Sequence, residues 1–170
     1  MKNIICVSGP HGAGKSTFIK NNYLDYFQFE RDSIPNKNCK DKNERMLLFT
    51  KEYIMHTHNL KLLNKENIKI DRCAIDVLAY AIAMTNLGWI TKETFEKINS
   101  SLKSSIKWLI ENTKIIFIIP DLTTNIKQIE KRQKKTKIRK FEENDYNYLN
   151  EVRESFVALE LLLRTRREFF

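Results

Sequence analysis

Glycine and proline, the residues that most often interrupt a folded chain, are scarce in this sequence. Its 170 residues include four glycines and three prolines, and no stretch is rich in Gly and Ser or low in complexity. The sequence therefore shows no linker, and its length is that of one compact domain. Because 42% of the residues are hydrophobic and 11% are aromatic, a single domain spanning residues 1–170 can bury a substantial core.

Cysteines and long apolar runs are also few. The three cysteines, Cys6, Cys39 and Cys73, are widely spaced and form no CxxC pair, which favours reduced thiols over a disulfide or a zinc site. No stretch approaches the roughly 18 apolar residues that cross a bilayer. The first apolar run is short and leads into a glycine-containing segment, so we expect no signal peptide. These absences predict a cytoplasmic protein with no membrane partner.

Acidic residues are outnumbered by basic ones. The chain has 30 Lys and Arg against 21 Asp and Glu, a formal net charge of +9 with a pI near 9.4. A basic protein favours polyanionic partners such as nucleic acid, an acidic membrane surface or nucleotides. A lysine-rich surface on a soluble protein explains the same composition equally well, so charge alone selects no function.

Short apolar runs alternate with helical patterns along the chain. Residues 3–7 predict a strand buried on both faces, 67–71 a further strand, and the apolar run 115–119 a central strand, with a short strand at 27–30. Each crossover is long enough to reach a parallel neighbour, so we predict a three-layer α/β domain with a parallel sheet of four to five strands. Helices are predicted at 15–22, 44–63, 76–87 and 91–110, and beyond Pro120 to the C-terminus.

The segment between the first strand and the first helix matches the phosphate-binding pattern G-x-x-x-x-G-K-[ST] as G-P-H-G-A-G-K-S. Glycines let the backbone wrap phosphate oxygens so that successive N–H groups point inward, and the helix start adds positive charge. Lys15 can reach the β- and γ-phosphates of ATP, and the Ser16 hydroxyl can ligate Mg2+. The pattern predicts a P-loop NTPase fold. The predicted ATP-binding residues are Gly9, His11, Gly12, Ala13, Gly14, Lys15, Ser16 and Thr17.

Asp71 and Arg72 stand at the end of the strand 67–71. Ligands of open α/β sheets bind at the carboxyl ends of strands, so Asp71 is predicted to hold Mg2+ through water beside the phosphate loop. Arg72 is suited to stabilise charge on a transferring phosphoryl group. An Asp-Arg pair taken alone is more often a surface ion pair, but its position here favours the catalytic interpretation.

The segment 127–140 carries eight Lys or Arg and a single acid, Glu130. We interpret approximately residues 127–141 as a lid that closes over ATP, brings Arg132 and Arg139 to the phosphates and excludes water. A nucleic-acid contact surface and a solvated helix face are the alternatives. Because like charges repel until an anion arrives, the density of charge favours the lid.

These features, in this order, resemble the thymidylate kinase family of the nucleotide and deoxynucleoside kinases. The resemblance covers most of the chain, and the ordered set is more specific than the phosphate loop alone. It implies phosphoryl transfer from ATP with Mg2+. The residues that carry it are G-P-H-G-A-G-K-S-T, Phe29-Glu30-Arg31, Leu47-Leu48-Phe49, Asp71-Arg72, Tyr80, the lid sequence IEKRQKKTKIRKFE and the helix sequence NEVRESFVAL.

The resemblance also implies roles on the acceptor side. Phe49 would stack on the acceptor base, which suits any base because each has a π-face. Arg31 would grip the acceptor's phosphate, a task that fits a bidentate guanidinium. Tyr80 would line the acceptor pocket, and Arg72 would lie between the donor and acceptor phosphates. The plain alternatives are core positions for Phe49 and Tyr80 and a solvated loop position for Arg31.

Several positions qualify this resemblance. Deoxynucleoside kinases carry a glutamate near the position of Glu30 that acts as base on a 5′-hydroxyl, so Glu30 favours a nucleoside acceptor if it faces that site. His11 stands where thymidylate kinases usually carry a carboxylate that contacts the sugar 3′-hydroxyl. Tyr53 stands where they usually carry an arginine that reads the base, and we count Tyr53 among the predicted acceptor-binding residues. Asp76 is interpreted as favouring a helix start. Residues 156–170 offer no equivalent of the family's last strand, so we expect a smaller sheet or a modified C-terminus.

The sequence therefore predicts a kinase that transfers the γ-phosphoryl group of ATP, with Mg2+, to a deoxynucleoside monophosphate. The alternatives are a deoxynucleoside kinase acting on a 5′-hydroxyl, a kinase acting on a base or end within a nucleic acid, and a nucleotide-binding module without catalysis. The expected partners are a nucleoside triphosphate with a nucleoside monophosphate or nucleoside. The basic charge leaves nucleic acid as a further partner, and a homodimer stays possible.

Overall fold

A four-stranded parallel sheet forms the centre of the described structure. The structure, a computed structural model, describes residues 2–30, 39–136 and 142–167. Its strands are β1 (Asn3–Ser8), β2 (Phe27–Phe29), β3 (Asn67–Asp71) and β4 (Lys114–Phe117). They lie in the order β2-β3-β1-β4 with every neighbouring pair parallel. The predicted α/β class with a parallel sheet is confirmed.

Helices connect the strands and cover both faces of the sheet. Side chains alternate between the faces of a strand, and β1 shows the consequence. Ile4 and Cys6 join the larger apolar cluster, to which α2, α3, α4 and α6 contribute, whereas Ile5 and Val7 pack with Ile19 of α1 in a smaller one. The described helices are α1 (Lys15–Asn22), α2 (Lys42–Leu62), α3 (Ala74–Asn86), α4 (Lys92–Asn112), α5 (Leu122–Thr136) and α6 (Tyr146–Arg167).

Local capping determines where the helices begin. The Asp41 side chain accepts the backbone N–H groups of Asn43 and Glu44, so α2 starts at Lys42, slightly earlier than predicted. Cys73 and Asp76 form a capping box, and α3 therefore starts at Ala74, which places Asp76 in the first turn as expected. These contacts satisfy amides that have no partner within the helix.

The prediction of a central strand at 115–119 was wrong in its position. β4 covers Lys114–Phe117 and lies at one end of the described strand order, while β1 occupies the interior between β3 and β4. Ile115 and Ile116 are only partly buried. Apolar content predicted a strand correctly but did not determine its neighbours, because the order of strands depends on how the crossovers pack.

The C-terminal region is helical, as predicted, and no strand follows α6 within the described residues. The sheet accordingly has four described strands, the smaller size expected from residues 156–170. None of the helices described here combines the length and apolar character required to span a membrane.

Candidate active site

The phosphate-binding loop joins the carboxyl end of β1 to the N-terminus of α1. Three of its residues have positive φ, namely Gly9 at 153°, Gly12 at 70° and Gly14 at 83°. A Cβ atom on Gly9 would lie 2.2 Å from the backbone oxygen of Ile118. Glycine is therefore required there by both conformation and space. The loop leads directly into the first turn of α1, and the N-terminus of a helix favours an anion because its first N–H groups have no partner within the helix.

Lys15 is a buried residue of this loop, with 5% of its surface exposed. Its ammonium group donates to the backbone oxygens of Gly9 at 2.8 Å and Pro10 at 2.7 Å. The side chain thus lies along the inside of the loop, where the pattern predicted a phosphate contact. The ammonium group is thus held by backbone carbonyls of the loop, and its charge also interacts with the buried Asp76 carboxylate.

Ser16 and Asp71 meet at the junction of the loop and β3. The Ser16 hydroxyl donates to Asp71 Oδ2 at 2.5 Å, and Asp71 Oδ1 is a buried atom without a hydrogen-bond partner. A hydroxyl and a carboxylate oxygen are ligands that Mg2+ prefers, and this ion takes its other ligands from phosphates and water. The donor set fits Mg2+, although the described residues hold no cluster of three His, Cys, Asp or Glu side chains for a protein-only metal site.

Arg72 follows with an unusual backbone, at φ 79°. Its N–H group donates to the backbone oxygen of Val7 at 3.0 Å, which continues the pairing with β1. Its Nη1 donates to the Tyr80 hydroxyl at 2.8 Å and lies 4.0 Å from Asp76 Oδ1. Burial by itself lowers the pKa of Arg72, but the electrostatic interactions with Tyr80 and Asp76 raise it by more, so the net shift is upward. The guanidinium group is therefore a fixed positive charge beside Tyr80 and Asp76.

Tyr80 and His11 form an aromatic wall next to Arg72. Their ring centroids are 4.9 Å apart, and both residues are partly buried. Burial raises the pKa of Tyr80 to about 12, so its hydroxyl stays protonated at neutral pH. His11 lies on the phosphate loop and Tyr80 on α3, and their contact connects these two parts of the site.

Helix α5 packs directly against the phosphate loop, and the role of residues 127–141 as a lid stays a prediction. The Asn125 side-chain amide donates to the backbone oxygen of His11, and a Cβ atom on Gly12 would lie 2.5 Å from Ile129 Cγ1. Arg132, further along α5, forms an ion pair with Glu143. Arg139 lies outside the described residues, so its role stays a prediction.

Glu143 is a residue that the sequence interpretation missed. It is buried, it pairs with Arg132, and its Oε1 lies 3.8 Å from His11 Nδ1. A carboxylate therefore links α5 to the phosphate loop. The sequence offered only an acidic pair, Glu142-Glu143, which is a common feature of surface loops.

The residues predicted to bind the acceptor differ in how deeply they are buried. Glu30 is exposed at the end of β2, and Phe49 is partly buried against the core. Tyr53 is 3% exposed and belongs to the core cluster, so its predicted contact with an acceptor stays a prediction. Arg31 lies outside the described residues.

Two clefts flank the loop. One, of about 560 Å3, is lined by Ser16, Glu30, Asp71 and Arg72 together with residues of α1 and β2. The other, of about 780 Å3, lies toward α5. It is lined by Ala13, Gly14, Thr17, Phe18, Asn21, Asn22, Phe117, Ile118, Gln128, Lys131, Arg132 and Lys135. Cavities thus lie on both sides of the phosphate loop.

Comparison with known proteins identifies the fold. No known protein-family model matches the sequence, and no curated protein does. Deoxyadenosine kinase from M. mycoides with bound dATP is similar in structure, with a TM-score of 0.67 and 20% identity over 95% of this chain and 85% of that one. The same enzyme with dCMP and a flexible dCDP has a TM-score of 0.63 and 19% identity, over 92% of this chain and 82% of that one. The chain therefore has a P-loop kinase fold similar to that of deoxyadenosine kinase.

Proposed function

We propose that the protein is a P-loop kinase that transfers the γ-phosphoryl group of Mg-ATP to a deoxynucleoside. The observation that carries this proposal is that Ser16, Asp71, Arg72 and Glu30 all line the same cleft, the one of about 560 Å3. A 5′-hydroxyl must lose its proton as it attacks, and a carboxylate beside the phosphoryl-transfer residues suits that task. The fold it shares with deoxyadenosine kinase supports the same acceptor class.

Each residue has a defined part in the proposed reaction. Loop amides and Lys15 hold the β- and γ-phosphates, while Ser16 and Asp71 would hold Mg2+, which neutralises phosphate charge when bound. Glu30 accepts the proton of the 5′-hydroxyl. That oxygen forms its bond to the γ-phosphorus as the bond to the β-phosphate oxygen breaks, and ADP leaves. Arg72 stabilises the charge on the transferring group.

A deoxynucleoside monophosphate is the second candidate acceptor. Arg31 directly follows Glu30 in the sequence, and an arginine at this position is suited to grip an acceptor phosphate. A phosphate oxygen is already ionised at neutral pH, so this reaction has no need of a base. Glu30 therefore distinguishes the two candidates.

ADP release tests the proposal. We would measure it with deoxynucleosides, all common monophosphates and short oligonucleotides, with Lys15→Ala as the blank. The proposal predicts turnover with a deoxynucleoside and a loss of about 10²–10⁴-fold in kcat for Glu30→Gln, the size of a general-base contribution. Turnover of monophosphates that Glu30→Gln leaves intact would establish the second candidate instead.

The other outcomes point to different functions. ADP release that depends on oligonucleotides, with binding that weakens steeply as salt rises, would indicate a nucleic-acid kinase. ATP binding without acceptor-dependent ADP release from any member of the panel would indicate a nucleotide-binding module and would overturn the proposal.

A further inference from the structure

Asp76 is a buried carboxylate that contacts four parts of the site without lining the cleft that contains Asp71 and Glu30. Its Oδ2 accepts the Ser8 hydroxyl at 2.8 Å and the Cys73 N–H at 2.9 Å. Its Oδ1 accepts the Gly9 N–H at 3.3 Å and lies 4.0 Å from Arg72 Nη1. One side chain thus joins the end of β1, the first residue of the phosphate loop, the start of α3 and the arginine of the site.

Helix capping does not account for this arrangement. Only the bond from the Cys73 N–H belongs to the capping box, whereas the contacts with Ser8 and Gly9 lie across the chain, 68 and 67 residues away. A capping carboxylate works equally well at a solvated helix start, but Asp76 is 1% exposed. Burying a carboxylate costs free energy unless charged and polar partners offset it.

The partners that offset the burial are residues of the proposed machinery. Burial raises the pKa of Asp76, while the positive charges of Arg72 and Lys15 act in the opposite direction. Within the described structure, the Arg72 guanidinium donates to the Tyr80 hydroxyl and lies beside Asp76. Tyr80 and Asp76 therefore orient the guanidinium group of Arg72, whose backbone is left-handed.

We propose that Asp76 is a positioning residue for phosphoryl transfer, which orients Arg72. This inference rests on the proposed kinase function. Asp76 makes no contact with the reactants in this proposal, so it acts on the rate through Arg72 and not through substrate binding. Removal of a partner that orients a functional side chain costs about 10–100-fold at metal sites, and we expect a loss of the same order here.

Asp76→Asn keeps the size of the side chain and one acceptor oxygen but removes the charge. We expect kcat for ADP release to fall about 10–100-fold, with the KM values of ATP and acceptor changed by less than about threefold. In an Arg72→Ala background the same substitution should have no further effect on kcat, because residues that act through one another are not additive. A multiplicative loss in the double variant, or an unchanged kcat in the single one, would overturn the inference.

Two further variants make the test independent of simple destabilisation. Thr91→Ala removes a helix cap of α4 remote from the site, and it should lower the melting temperature while leaving kcat unchanged. Ser8→Ala removes one hydrogen bond to Asp76 and is the milder substitution if Asp76→Asn fails to fold. It should lower kcat by less than Asp76→Asn does. In the Arg72→Ala background it should have no further effect on kcat.

A second measurement separates this inference from the proposed function. If the wild-type protein shows no acceptor-dependent ADP release, the proposed function fails. The double-variant comparison is then made on the free energy of unfolding of the ligand-free protein. Non-additive effects of Asp76→Asn and Arg72→Ala would support an interaction that positions Arg72, and additive effects would refute it.

Discussion

At the scale of single residues, the backbone of Arg72 shows how the site is built. A left-handed conformation costs a residue with a side chain roughly 1–2 kcal/mol, and Arg72 adopts it at φ 79°. The hydrogen bonds of its N–H group to Val7 and of its guanidinium group to Tyr80 offset that cost. The turn at the end of β3 thereby directs Asp71 toward Ser16 and Arg72 toward Tyr80.

Arg72→Ala is expected to lower kcat by about 10²–10³-fold, the usual effect of removing one group that stabilises transition-state charge. The acceptor KM should change by far less, because Arg72 is proposed to act on the transferring group. Steady-state ADP release would measure both constants. Arg164→Ala, which removes an exposed arginine paired with Glu160, is the matched control and should leave both unchanged. A rise in KM with kcat unaltered would move Arg72 out of the reaction centre.

At the scale of elements, the phosphate loop depends on its neighbours in space. Gly9 approaches the backbone after β4, and Gly12 approaches Ile129 and Asn125 of α5. The Asn125 amide also donates to His11 across 114 residues of sequence. A loop held by both β4 and α5 keeps its shape before a phosphate arrives, which reduces the ordering cost of binding.

Gly12→Ala tests this contact. The new Cβ atom would lie 2.5 Å from Ile129 Cγ1 at a φ of 70°, so α5 must shift or the loop must distort. We expect a loss of about 1–3 kcal/mol in the free energy of unfolding, as for other overpacked positions, and weaker binding of Mg-ATP. Denaturant unfolding and calorimetry measure the two effects.

Gly88→Ala is the matched control for Gly12→Ala. Its φ of 68° is nearly the same, but a Cβ atom there has nothing within 4 Å. It should lower stability through backbone strain alone and leave the affinity for Mg-ATP unchanged. Equal effects of the two substitutions on affinity would show that contact with α5 is unimportant.

At the scale of the whole molecule, one sheet brings distant parts of the chain to the same edge. β1 and β3 are adjacent and parallel, so the phosphate loop after β1 and the Asp-Arg pair after β3 emerge side by side. The sequence separates Ser16 from Asp71 by 55 residues, yet their side chains are hydrogen-bonded. A folded domain with this arrangement should gain stability when a triphosphate binds.

Mg-ATP is expected to raise the melting temperature. A ligand at 100 times its Kd stabilises the folded state by about 2.7 kcal/mol, and for a domain of this size each kcal/mol corresponds to roughly 2–4 °C. Lys15→Ala should abolish most of the rise while leaving the protein folded, and EDTA should reduce the rise for the wild type. The absence of any thermal shift and of any heat of binding would contradict the triphosphate site itself.

Some of the site was accessible from sequence because its determinants are local. The spacing of residues 9–16 specifies a glycine turn followed by a lysine and a helix start, and nearby residues suffice to form it. The strands at 3–7 and 67–71 were likewise predicted from runs of apolar side chains and are confirmed as β1 and β3. Asp71 and Ser16 could be paired in advance because carboxyl ends of parallel strands meet at one edge.

The sequence by itself determined the phosphate loop, the alternation of strands and helices and the types of side chain available for the reaction, since each depends on neighbours along the chain. Only the tertiary structure decided that β1 and not β4 lies inside the sheet, that Asp76 faces Ser8 and Gly9, and that Glu143 joins α5 to the phosphate loop. A carboxylate in a first turn or a loop has the same local pattern whether it faces solvent or an arginine. Its partners are selected by the packing of elements distant in sequence, and so is its role.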